Sequence, residues 1–208
     1  MKVLLINGSC HADGCTYTAL SEVAGVLKEE GIDCEIFPLG GKPIRDCIGC
    51  LKCTELDHAC VFGDDPINEL IRKAQEADAF VFGTPVYYAH PSGRILSALD
   101  RAFYAAKDVF SHKPGAAVAS ARRAGTTASL DVLNKYFTVA EMPVVSSSYW
   151  NMVHGNTPDE VRQDAEGLQS MRNLGRNMAW LLKCIAAGKE QGVDAPQTER
   201  SHRTNFIR

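Results

Sequence analysis

Short, continuous apolar runs alternate along the chain with segments whose apolar positions recur every three or four residues. The first run, residues 2–7 (KVLLIN), has no polar face, as a strand covered on both sides requires, and Gly8 breaks it. Over residues 16–30, Leu20, Val23, Ala24 and Leu27 mark one side of a helix that Gly31 ends. Residues 34–39 (CEIFPL) predict a second strand, and an irregular cysteine-rich segment follows. The next helix is announced by Asp65 as cap, Pro66 at the first helical position and an apolar stripe of Ile67, Leu70, Ile71 and Ala74. Residues 79–85 (AFVFGTP) predict the third strand, and the helix after it carries Ile95, Leu96, Leu99 and Phe103 on one side. The fourth strand is expected at 115–120 (GAAVAS), a helix at 126–137, and the fifth strand at 142–149 (MPVVSSSY). Thr157, Pro158 and Glu160 open a last helix reaching residue 187, with Gly167 and Gly175 as points where it bends or divides.

Five strands separated by helices predict an α/β, doubly wound parallel sheet with helices on both faces, since parallel neighbours need crossovers and those crossovers are right-handed. The expected strand order is 2-1-3-4-5. The chain has 208 residues and 45% hydrophobic content, which suits one domain, here residues 1–190, followed by a tail over 191–208. Ligands of such sheets bind at the carboxyl ends of the strands, beside the point where strand order reverses, here strands one and three. The loop after strand one, NGSCHADGCTYTAL, opens directly into a helix and is rich in hydroxyls. Its amides and the helix N-terminus suit an anion, with Ser9, Thr16 and Thr18 as hydroxyl donors and His11 as a cation; an ordinary strand-to-helix turn is the plainer alternative. The loop contains neither GxGxxG nor GxxxxGK(S/T), so a monophosphate fits better than a dinucleotide or a triphosphate.

The stretches INGSCHADGCTYTAL and GTPVYYAHPSGRILSALDRAF together resemble the NADPH-dependent FMN reductase family of flavodoxin-like proteins. The resemblance implies FMN as cofactor, with its phosphate on Ser9, His11, Cys15, Thr16 and Tyr17. Cys10 stands where that family commonly has proline, which loosens the loop but leaves its amides in place. Thr84, Pro85, Val86, Tyr87 and Tyr88 would then lie along the isoalloxazine ring, where aromatic side chains stack and backbone amides tune the ring; packing of the two tyrosines under a loop is the alternative. The loop from Ser120 to Gly125 (SARRAG) carries Arg122 and Arg123. One arginine there would stabilise the negative charge of reduced flavin and the other would meet a nicotinamide phosphate, unless both are simply solvated. His154, after the fifth strand, is a candidate donor at the ring edge.

Net charge is only −3, which offers no broad basic surface for nucleic acid or for an anionic membrane. The N-terminal apolar run is too short for a signal-peptide core or a membrane span, so the chain is expected in the cytoplasm. In a reducing compartment, clustered cysteines argue for metal or redox chemistry rather than a disulfide framework. Cys47, Cys50, Cys53 and Cys60 form a CxxCxxC segment with a fourth cysteine seven positions on. Structural zinc usually arrives as two separated pairs, whereas this compact spacing favours one [4Fe-4S] cluster on all four thiolates. Free or redox-active thiols and zinc stay open as alternatives, and His58 is a substitute ligand. The segment resembles the iron–sulfur flavoproteins, a branch of the same family, although related reductases carry similar cysteines without a cluster. Cys34 and Cys184 read as core residues.

The expected activity is an FMN-dependent oxidation of NAD(P)H, with electrons passed to a quinone, a flavin, a nitro or azo compound, or a protein electron carrier. A non-catalytic electron carrier like flavodoxin, and a thiol or zinc sensor, are the other classes. The long C-terminal helix offers more apolar surface than one small sheet covers, so a homodimer or homotetramer is expected.

Overall fold

The computed structural model describes residues 1–207. Strands β1 (Lys2–Asn7), β2 (Asp33–Pro38), β3 (Ala79–Tyr87), β5 (Gly115–Ala121) and β6 (Met152–His154) form a parallel sheet in the order β2-β1-β3-β5-β6. The two-residue β4 (His90–Pro91) pairs antiparallel with the end of β3. This corrects the expected five-strand order 2-1-3-4-5 in two respects. A sixth strand exists because β3 overshoots the sheet and folds back as a hairpin. The last strand is not 142–149 but β6.

The reason for the second correction lies in the serines. Val144 makes a single bridge to Gly115, after which the chain leaves the ladder. The Ser147 hydroxyl donates to the Tyr149 carbonyl and accepts from its amide. The Ser146 carbonyl accepts from the Asn177 side chain, and the Asn173 amide donates to the Ser148 hydroxyl. Such local bonds compete with sheet pairing, and pairing resumes only at Met152.

Two helical layers cover the sheet, and the alternation of strand side chains separates their cores. Leu4, Ile6, Phe80, Phe82, Ala117 and Ala119 face α2 (Ile67–Gln75), α3 (Gly93–Phe110) and α4 (Thr126–Val139). Val3, Leu5, Val81, Ala116 and Val118 face α1 (Cys15–Glu29), α5 (Pro158–Gln163) and α6 (Ala165–Glu190). The expected helix over 157–187 is two helices, divided at Asp164 rather than at either glycine. Asp164 accepts from the Gly167 amide and caps α6, while Thr157 caps α5. Gly175 instead lets α6 close on α1: a Cβ there would lie 2.9 Å from Val26 Cβ. Beyond Glu190 no regular structure follows among the described residues.

Candidate functional site

The carboxyl ends of β1, β3 and β5 meet at one edge. Glycines let them do so: a Cβ on Gly8 would meet the Gly83 carbonyl at 2.7 Å, and the Gly8 amide donates to that carbonyl at 2.8 Å. Behind this contact, fully buried Asn7 holds the first loop. Its side-chain Oδ1 accepts from the Ser9 amide at 3.1 Å, and its Nδ2 donates to the His11 and Ala12 carbonyls. The Ser9 hydroxyl in turn accepts from the His11 amide at 3.1 Å. The loop is therefore fixed from inside, with carbonyls turned onto Asn7 and α1 opening at Cys15 with no side-chain cap. Uncapped helix amides are an anion site. Asn7 was missed from sequence because it reads as the last residue of a strand.

The predicted phosphate residues divide. His11 and Tyr17 are exposed on the loop and on the first turn of α1. Thr16 is buried, and its hydroxyl is shared with Ser120 at 2.8 Å, so the two tie α1 to the end of β5. Ser9 is likewise buried, locking the loop from within. The Cys15 thiol donates to the Gly155 carbonyl, and burial pushes its pKa up. It joins α1 to the loop after β6.

Buried Thr84 steers the second loop: its hydroxyl donates to the Pro85 carbonyl and accepts from the Ser92 amide. Ser92 caps α3 and its hydroxyl donates to the Gly8 carbonyl at 3.0 Å, fastening loops one and two together. Pro85 and Val86 end the strand half-buried. Tyr87 is half-exposed, with its hydroxyl 3.7 Å from Cys10 Sγ, a contact that raises the phenol pKa. Tyr88 sits at the hairpin tip, fully exposed and at φ +59°. Neither tyrosine packs beneath its loop. Gly125, at φ +89°, lets the third loop touch this hairpin, since a Cβ there would lie 2.7 Å from Val86 Cγ1 and 2.9 Å from Ala89 Cα. Arg122 and Arg123 are exposed, with no hydrogen-bond or ion-pair partner among the described residues. Register places His154 opposite Ala121, next to Arg122, with its Nδ1 3.7 Å from Asp164.

The cysteine segment runs along α3. Cys47, Cys50, Cys53 and Cys60 line one hollow with Leu51, Phe62, Arg101 and Tyr104, and all four are free thiols. Burial raises the Cys53 pKa, and the other three cysteines add to the rise. Among the described residues, no three His, Cys, Asp or Glu side chains are arranged to hold a single metal ion. His58 lies outside the hollow's lining and pairs with Asp108 at 2.8 Å, which raises the imidazole pKa. Cys60 is the best anchored of the four. Asn68 accepts from its amide at 2.8 Å and donates to its carbonyl at 2.9 Å. Arg101 Nε donates to its sulfur at 3.2 Å. The sequence does not single out Arg101, because a charged residue in a helix reads as solvated, and it offers Asp65 only as a cap. Asp65 does accept from the Ile67 amide, but its main partner is Arg101. Cys34 and Cys184 do not both fall in the core: Cys34 is half-buried and Cys184 is exposed.

No helix of the described residues is long and apolar enough to cross a membrane. The family model for NADPH-dependent FMN reductases matches residues 1–157. An iron–sulfur flavoprotein of Methanocaldococcus jannaschii is 32% identical over 193 residues, covering 89% of this chain and 99% of that protein. An FMN-dependent NADPH-azoreductase of Staphylococcus saprophyticus is 37% identical over 117 residues, 55% of this chain and 57% of its own. Among solved structures, an NAD(P)H:quinone oxidoreductase from Methanothermobacter marburgensis superposes with a TM-score of 0.65 at 16% identity, over 86% of this chain and 98% of that one, a likeness of fold. On a sequence match over most of its length and a shared flavodoxin-like fold, the chain belongs to the NADPH-dependent FMN reductase family of oxidoreductases.

Proposed function

We propose that the chain is an FMN-dependent NAD(P)H oxidoreductase whose four clustered cysteines hold a [4Fe-4S] cluster. The observation that carries the flavin reading is the first loop, locked by Asn7 and Ser9 and opening onto the uncapped amides of α1. There the loop amides and the helix N-terminus bind the phosphate, with exposed His11 and Tyr17 beside it. Tyr87 and Tyr88 supply an aromatic surface for the ring. Arg122 and Arg123 supply free cations next to His154, suited to negative charge on the ring and on a nicotinamide phosphate. When bound, FMN supplies the hydride acceptor and the cluster a one-electron acceptor.

What supports the cluster is the donor set: four soft thiols around one hollow, apolar walls and a buried cation. A single tetrahedral ion needs all its sulfurs within about 2.3 Å of one point, whereas a cluster spreads its ligands. The iron–sulfur flavoprotein relative supports the same reading. The acceptor is a small oxidant such as a quinone, a flavin or an azo compound, or an electron-carrier protein. The site of action is the cytoplasm, as a homodimer or homotetramer.

The test is full-length protein purified without oxygen, loaded with FMN and desalted, then titrated with NADPH or NADH while flavin absorbance is followed. Stoichiometric bleaching, with about four irons and four sulfides per chain, is the expected result. Bleaching only by chemical reductant would make the protein a carrier, and colourless desalted protein would end the flavin reading.

A further inference from the structure

Arg101 is the largest of the fully buried side chains, at 1% exposure, yet it points neither to solvent nor to the flavin edge. All five of its N–H groups have acceptors. One terminal nitrogen donates to the Arg45 carbonyl at 3.2 Å and to Asp65, and the other to the Phe62 carbonyl and to Asp65, both at 3.1 Å. Nε donates to Cys60 Sγ at 3.2 Å. Burying a guanidinium is costly unless every donor is met. Carbonyl and carboxylate oxygens alone would explain a structural clamp. The fifth acceptor is a sulfur at the hollow, and it requires a further explanation.

We propose that Arg101 positions Cys60 and sets the reduction potential of the cluster, through its Nε–H donated to the Cys60 sulfur; this rests on the cluster reading above. A donor on a ligand sulfur, and a cation beside it, both favour the more negative state of an iron–sulfur centre, so they make its reduction easier. Asp65 offsets the charge of Arg101 but leaves the N–H on the sulfur. The guanidinium is held by its other four bonds, two to the Asp65 carboxylate just before α2 and two to the Arg45 and Phe62 carbonyls that flank the cysteines, so the donor stays aimed at the sulfur. Asn68 fixes the Cys60 backbone in the same way, so both ends of this ligand are tied to helices.

The experiment compares the wild type with a charge-balanced double variant, Arg101→Gln with Asp65→Asn, both as full-length holoprotein purified without oxygen. Iron and sulfide content, FMN content and the cluster midpoint from an electron-paramagnetic-resonance redox titration are measured. The expected result is unchanged iron and FMN, with the cluster about tenfold harder to reduce, a midpoint lower by about 59 mV for one electron. An unchanged midpoint with iron retained overturns the role of Arg101 alone. Fewer than about one iron per wild-type chain overturns the cluster reading and this inference with it. Should the double variant fail to fold or lose iron, the wild type labelled with guanidino-nitrogen-15 arginine decides. A nitrogen-15 hyperfine coupling in the pulsed spectrum of the reduced cluster is expected, and its absence overturns the proposal.

Discussion

Tyr88 occupies a conformation that suits it poorly. At φ +59° its Cβ crowds the following carbonyl, a cost of about 1–2 kcal/mol for a residue other than glycine, and its ring, fully exposed, recovers nothing by burial. Strain without compensation at the rim of the proposed flavin site leaves the compensation to the ligand. Tyr88→Asn separates the two contributions, because asparagine enters the left-handed region readily. The unfolding free energy of the flavin-free variant should rise by about 0.5–1 kcal/mol, read by urea titration. Its FMN dissociation constant should rise by about fivefold or more, the worth of one aromatic contact. A gain in stability with unaltered flavin affinity would place the ring of the cofactor elsewhere.

At the scale of elements, Gly8 marks the end of β1 and Gly31 the end of the helix before β2, so both boundaries were legible, whereas β3 runs on to Tyr87, past the Thr84–Pro85 pair that marked its expected end. Continuous apolar runs gave β1, β3 and β5 close to their observed bounds. β6 was not legible. Its three residues, Met152, Val153 and His154, are too short to show a period, and the more apolar Pro143–Val145 drew the assignment away. The loops at the carboxyl ends of β1 and β3 were visible as residue types, but their division of labour was not: Thr16 faces Ser120, and Asn7 holds the first loop. Charge between elements was equally hidden. Lys2 on β1, Glu35 on β2 and Lys73 on α2 converge, with Glu35 3.5 Å from Lys2 and 2.6 Å from Lys73. The hydrogen bond from Lys73 is the main cause of a Glu35 pKa held below the ordinary carboxylate value. A depressed carboxylate pKa stabilises the fold above the unfolded value of about 4.3, and the stabilisation is lost as pH falls through the folded value. Glu35→Gln should therefore destabilise the flavin-free protein at neutral pH and converge with wild type in acid, read as denaturation midpoints across pH. A deficit that persists in acid would mean that packing, not charge, is what the substitution removed.

Over the whole molecule, α3 is the bar that joins the two candidate centres. At its start Ser92 donates to the Gly8 carbonyl in the loop after β1. Two residues on, Arg94 donates to the Lys42 carbonyl at 2.6 Å and to the Gly41 carbonyl at 3.4 Å. Arg101 then holds Arg45, Phe62 and Cys60, the Tyr104 carbonyl accepts from the Cys53 thiol, and Asp108 meets His58. The cysteine segment, whose only regular element is a single 3₁₀ turn at Lys52–Glu55, thus hangs on α3, with Asn68 of α2 holding its Cys60 end, through side chains rather than on the sheet through a ladder. Segments held this way open well below the free energy of global unfolding. In native-state hydrogen exchange, residues 41–62 should exchange ahead of β1 and β3. Arg94→Ala removes two bonds at a half-buried position, worth about 1 kcal/mol together, so exchange at residues 41–46 should quicken about fivefold, with the core strands unaffected. Faster exchange in β1 as well would mean that the segment and the flavin edge open as one unit, and that α3 couples the two centres rather than merely spacing them.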